Sequence, residues 1–138
     1  MEVDFEMITS ADEFVRLGVS EIPEEYLRAA EEEAPLPVWM DVISRFPEMR
    51  MWAALNKKIP IEILEILACD ESASVRAAVA DKRKLTLELF DLLARDHSEI
   101  VRLRVAYNKK LPIHLLKQLS ADSSSLVSAA AMERLGKC

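Results

Sequence analysis

Residues 75–100 read VRAAVADKRKLTLELFDLLARDHSEI, and residues 101–126, which follow directly, read VRLRVAYNKKLPIHLLKQLSADSSSL. Set one above the other, the two stretches agree column by column without a gap. A shift of 26 residues upstream brings Met49 to Ser74 into the same register, and a shift downstream starts a fourth copy at Val127. Seven columns are apolar in all three full copies: Met49/Val75/Val101, Ala53/Val79/Val105, Ala54/Ala80/Ala106, Ile59/Leu85/Leu111, Ile63/Leu89/Leu115, Leu64/Phe90/Leu116 and Leu67/Leu93/Leu119. Spacings of one and four residues within a stripe belong to helices, so the unit reads as two helices. The second opens at Pro60 and Pro112, where a first turn tolerates proline, with Thr86 in the middle copy. The first is short. It starts near Ser72, Ser98 or Ser124 as candidate N-caps and ends near Asn56, Lys82 or Asn108, asparagine being a residue that tolerates the left-handed conformation that often closes a helix.

A single pair of short helices cannot bury its apolar face, so copies must stack and the ends of the stack must be covered. Residues 49–126 form three full copies, and residues 127–138 a C-terminal capping half-repeat in which Ala129, Ala130 and Ala131 are expected to pack closely. Residues 1–48 read as an N-terminal cap. A helix opens after Ser10 with a capping-box pattern, and Pro23 to Ala30 and Pro37 to Phe46 form a degenerate repeat with Trp39, Val42 and Ile43 as its apolar stripe. All three parts belong to one structural domain in this reading.

The pattern in Val75-Arg76-Ala77-Ala78-Val79-Ala80, Val101-Arg102, Asn108-Lys109-Lys110-Leu111-Pro112 and the column Asp70/Asp96/Asp122 resembles the leucine-rich repeat variant family, a relative of HEAT repeats. The resemblance covers roughly residues 47–135. It implies an all-α, right-handed solenoid of short helix pairs, and little about activity, because such scaffolds serve many binding roles.

Composition agrees with a helical chain: hydrophobic residues make up 51%, charged residues 30%, and glycine occurs only at Gly18 and Gly136. The start, MEVDFEMITS, is acidic where a signal peptide is basic, and no apolar run approaches membrane-helix length, so a cytoplasmic location without a membrane partner is expected. Cys69 and Cys138 supply neither a disulfide framework nor a four-cysteine cluster site. Charge is unevenly spread, with 13 acids against 3 bases in residues 1–48 and 11 against 15 in residues 49–138.

Three surfaces are candidates for function. The Arg50/Arg76/Arg102 column falls between apolar columns, so it reads as half-buried and ion-paired with Asp70/Asp96/Asp122, a structural ladder rather than a phosphate site. Opposite the buried arc, Trp52/Ala78/Arg104 and Leu55/Asp81/Tyr107 vary in chemistry on a constant frame, which makes Trp52, Leu55, Arg104 and Tyr107 the expected partner-binding residues. Trp52 and Leu55 also have a purely structural reading, as residues covered by the N-terminal cap. The turn cations Lys57, Lys58, Lys82, Arg83, Lys84, Lys109 and Lys110 align into a basic ridge that suits a nucleic-acid backbone, against an overall pI near 5.0.

No catalytic motif emerges. His97 and His114 form no HExxH pair, no glycine-rich phosphate loop exists, and neither a metal nor a small-molecule cofactor is expected. The sequence therefore points to a non-enzymatic helical-repeat scaffold for protein–protein binding, such as a small bacterial inhibitor or immunity-type protein that masks a basic partner. A nucleic-acid backbone binder using the lysine ridge is the alternative. A glycosylase-like enzyme, by analogy with HEAT-like base-excision folds, comes third.

Overall fold

The computed structural model describes residues 7–137; the first six residues of the acidic start and Cys138 lie outside the described residues. The protein is all-helical: the described residues form ten α-helices and one 3-10 turn, with no strand among them. They fall into two compact units, residues 1–67 and 68–138.

The first unit contains α1 (Ala11–Gly18), α2 (Pro23–Glu31), α3 (Leu36–Arg45), the 3-10 turn Pro47–Met49, α4 (Arg50–Leu55) and α5 (Ile61–Leu67). Ser10 caps α1 as expected, its Oγ accepting the Glu13 N–H at 3.0 Å. The Glu13 carboxylate reaches one residue beyond the usual capping box, accepting the Thr9 N–H at 2.9 Å. Phe14, Leu17, Trp39 and Val42 are fully buried, and Phe14 meets Trp39 edge to face with ring centroids 5.0 Å apart. Gly18 ends α1 where a Cβ would stand 2.7 Å from the Met49 Cε, so the missing side chain lets Met49 close this corner of the core.

The second unit contains α6 (Ala73–Ala80), α7 (Leu87–Ala94), α8 (Glu99–Tyr107), α9 (Ile113–Leu119) and α10 (Ser125–Gly136). Across both units every residue of the seven apolar columns is buried except Leu85, which is half-buried. Burying a leucine such as Leu93 or Leu115 stabilises by about 1.5–3 kcal/mol, so these columns dominate the favourable side of folding. Pro112 sits just before the first residue of α9. Where Thr86 replaces proline, its hydroxyl instead caps α7 by accepting the Leu89 N–H at 3.1 Å. Of the three alanines expected to pack closely in the last half-repeat, Ala130 and Ala131 are buried and Ala129 is exposed, because it projects from the far side of α10.

Two polar networks link successive helix pairs. In the first, Arg76 forks onto the Asp96 carboxylate (Nε to Oδ2 2.8 Å, Nη2 to Oδ1 3.2 Å) and donates from Nη1 to the Asp70 carbonyl at 2.7 Å. Arg102 repeats this arrangement with Asp122 (2.9 and 3.2 Å) and the Asp96 carbonyl (2.7 Å). The aspartates act twice, because Asp70, Asp96 and Asp122 also accept the N–H groups of Ser72, Ser98 and Ser124 at 3.0, 2.9 and 2.8 Å and so shape the turn that opens each first helix. Ser72 and Ser124 then cap through their hydroxyls, while Ser98 makes no side-chain cap.

The asparagines behave differently from expectation. No residue, glycine included, has positive φ among the described residues, and Asn56 and Asn108 are extended, with φ of −60° and −69°. They are buried, and their amides form the second network. Asn108 Nδ2 donates to the Ala80 and Lys82 carbonyls at 2.8 and 2.7 Å, while its Oδ1 accepts the Lys110 N–H at 2.8 Å. Asn56 makes the equivalent set with the Ala29 and Glu32 carbonyls and the Lys58 N–H. Holding three backbone groups outweighs any local preference for the left-handed region. In α10 the same column carries Arg134, which donates to the Asn108 carbonyl at 2.8 Å and to the Ala106 carbonyl.

This geometry has a pH signature. Burial opposes ionisation of Asp96 and Asp122, but the paired guanidiniums of Arg76 and Arg102 and the N–H groups of Ser98 and Ser124 outweigh it and hold both carboxyls below their ordinary value. A carboxyl whose folded pKa is depressed contributes stability above its unfolded value, and that contribution is lost as pH falls through the folded pKa. Denaturant midpoints are therefore expected to fall steadily below about pH 4. The fall should be shallower in an Asp122→Asn variant.

Candidate interaction surface

In the first unit, α2 and α4 bring together residues far apart in sequence. Tyr26 of α2 meets Trp52 of α4 edge to face, with ring centroids 5.6 Å apart and planes at 82°. The spacing follows from the elements. Pro23 starts α2 so that Tyr26, Ala29 and Ala30 share a face, while Trp52 and Leu55, three residues apart, share a face of α4. With Gly18 these residues line a pocket of about 200 Å³ whose wall is almost wholly apolar. Trp52 remains 38% exposed, Tyr26 42% and Leu55 43%. The two readings of Trp52 thus meet halfway, since Tyr26 of α2 packs against the ring while 38% of the residue stays exposed.

The segment that carries α2 is acidic, and Lys57 meets it, its backbone N–H donating to the Ala30 carbonyl at 2.8 Å. Residues 21–33 hold six acids against the single base Arg28. Glu25 is bonded by Ser20 at 2.7 Å and by Arg16 at 2.7 Å, and these two partners, the hydroxyl foremost, hold its carboxyl below the usual range. Glu32 pairs with Arg28, and Glu31 with Lys57 at 2.9 Å. Glu21, Glu24 and Glu33 are exposed and have no side-chain hydrogen bond or ion pair among the described residues.

The second unit arranges its candidates differently. Arg104 donates from Nε to Asp81 at 2.9 Å, so two of the variable positions pair with each other, and the hydrogen bonds and charge of Asp81 raise the pKa of the guanidinium further. Tyr107, one turn further along α8, is 57% exposed. The exposed column is interrupted at Ala78, which is buried together with every other residue from Val75 to Ala80.

The ridge cations are not equivalent. Lys57 is engaged by Glu31. Lys82 occupies the asparagine column and is half-buried, and desolvation pulls its ammonium down to about 8 against the opposing charge of Asp81. Lys58, Arg83, Lys84, Lys109 and Lys110 are exposed.

Sequence reasoning missed Tyr26 as the partner of Trp52, the bridging role of Asn56 and Asn108, and the turn-forming role of the aspartates. A signal existed for the last two: Asn56 and Asn108 are separated by two repeat lengths, and Asp-x-Ser recurs at 70–72, 96–98 and 122–124. Tyr26 stands one 26-residue interval before Trp52, a register that the degenerate upstream copy obscures. Among the described residues no group of three or more His, Cys, Asp or Glu side chains is placed to hold a metal ion, and no helix is long and apolar enough to cross a membrane. In comparisons with known proteins, no family model, curated protein or solved structure matches the chain.

Proposed function

We propose that the chain is a non-enzymatic scaffold for protein binding, built on the 26-residue helical-repeat plan of the leucine-rich repeat variant and HEAT-like families. Its seat for a partner is the Tyr26–Trp52–Leu55 surface, and Tyr107, beside the Arg104–Asp81 pair, is a contact of the second unit. The observation that carries this reading is the open aromatic pocket on α2 and α4; the Arg76–Asp96 and Arg102–Asp122 pairs and the Asn56 and Asn108 amides are already engaged in holding helices together. Trp and Tyr at the mouth of a desolvated pocket are the residue types that dominate interface energies. A small acidic inhibitor or immunity-type protein that masks a basic bacterial partner fits the charge distribution.

The nucleic-acid alternative rests on the ridge, from which Glu31 takes Lys57 and burial takes much of Lys82. Retention of proteins from native lysate, set beside a salt titration against generic nucleic acid, separates the two. A retained protein partner whose binding weakens tenfold or more with Trp52→Ala, about 1.4 kcal/mol or above, is the expected result. The same substitution should also lower folding stability by about 2 kcal/mol, because Trp52, 38% exposed, loses buried apolar area as well as the aromatic pair, and Leu89→Ala in the core should cost about 2–5 kcal/mol. Tyr107→Ala should leave stability within about 0.5 kcal/mol of the parent. Steeply salt-dependent binding of nucleic acid with no retained protein would overturn the proposal.

A further inference from the structure

We infer that the pocket on α2 and α4 receives a single apolar side chain, of leucine or phenylalanine size, presented by a positively charged segment of the partner protein. This rests on the protein-binding reading above and specifies the chemistry of what is bound. Size comes first. A pocket of about 200 Å³ lies below the roughly 300–1,000 Å³ of sites that enclose a small-molecule ligand, and it matches one anchoring side chain. Its wall of Gly18, Tyr26, Ala29, Ala30, Trp52 and Leu55 offers almost no polar atom to orient a ligand of its own, so specificity must come from outside the pocket.

Charge supplies it. Helix α2 forms one wall; Glu21 precedes it, Glu33 follows it and Glu24 lies on its far side from Tyr26 and Ala29. These exposed carboxylates have no internal partner among the described residues, and they act on an approaching segment through their field rather than by contact in the pocket. The described part of the first unit, residues 7–67, holds twelve acids against six bases, so its field attracts cations on approach. An acidic chain would meet that field as repulsion, and an uncharged apolar segment would leave the three carboxylates unused. A lysine- or arginine-rich segment with one apolar residue satisfies both features. The exposed parts of the Tyr26 and Trp52 rings can also meet a flanking cation.

The test uses the intact chain and follows the indole N–H resonance of Trp52 by NMR, assigned with a Trp52→Phe variant. The buried indole of Trp39 serves as the internal reference. Three capped pentapeptides are titrated: leucine flanked by lysines, alanine flanked by lysines, and leucine flanked by glutamates. The expected result is a saturable shift with the lysine–leucine peptide, at least tenfold weaker binding of the other two, and a severalfold loss in a Glu21→Gln, Glu24→Gln, Glu33→Gln variant whose melting is unchanged. If the glutamate–leucine peptide binds equally well, the pocket is an apolar anchor without charge selection; the inference falls and the protein-binding reading stands. If the lysine–alanine peptide matches lysine–leucine, or if no peptide moves the Trp52 signal, both fall at this site.

Discussion

Asp96→Ala is expected to destabilise the protein by about 3–5 kcal/mol, the largest effect of any single polar substitution considered. The Arg76 and Asp96 side chains are each only 7% exposed, so removing the carboxylate leaves a guanidinium with little access to water, no counter-charge in the pair and the Asp70 carbonyl as its remaining backbone acceptor. The Ser98 N–H loses its acceptor at the same time, which loosens the turn into α8. Asp122→Ala should cost less, because its Arg102 partner is 15% exposed and regains some hydration. A double replacement, Arg76→Met with Asp96→Leu, should recover much of the loss, since a buried pair contributes less net stability than the penalty for breaking it. Chemical denaturation of the three variants checks this. A loss below about 1 kcal/mol for Asp96→Ala would mean that the pair behaves like a surface salt bridge.

Asn108→Ala is expected to cost about 3 kcal/mol, because one small amide serves three backbone groups: the Ala80 and Lys82 carbonyls and the Lys110 N–H. Each buried group left without a partner costs about 1–3 kcal/mol. Asn108→Asp should be no better despite its similar shape, since a carboxylate would face two carbonyl oxygens that need a donor. The denaturant midpoint should drop for both with little change in slope, as expected when stability changes and the extent of unfolding does not.

These networks also show what the sequence carried and what it did not. The helical class, the helix pairs and nearly every buried position were legible because apolar columns recur at a fixed interval and burial follows periodicity. The arginine–aspartate pairing was legible for the same reason, since a charge set between two apolar columns must find a partner. The asparagine bridges were not, because a left-handed cap and a buried amide leave the same residue at the same helix end, and only tertiary packing chooses between them. Likewise, the exposed face of α4 was visible as a position on a helical wheel. The Tyr26–Trp52 contact joins residues one 26-residue interval apart, but the apolar columns that mark the register are degraded upstream of Met49, so that interval was not legible as a contact. Lys82 shows the converse case, a cation that aligned with exposed neighbours yet is half-buried because it stands in the asparagine column.

The most direct test of the proposed binding surface is amide hydrogen exchange on the intact chain, alone and with the protein retained from lysate. Slowed exchange on partner addition is expected in α2 and α4, around Tyr26, Ala30, Trp52 and Leu55, with a weaker effect near Tyr107. Slowing confined to the turns around Arg83–Lys84 and Lys109–Lys110, with α2 and α4 unchanged, would contradict the proposal and place binding on the basic ridge.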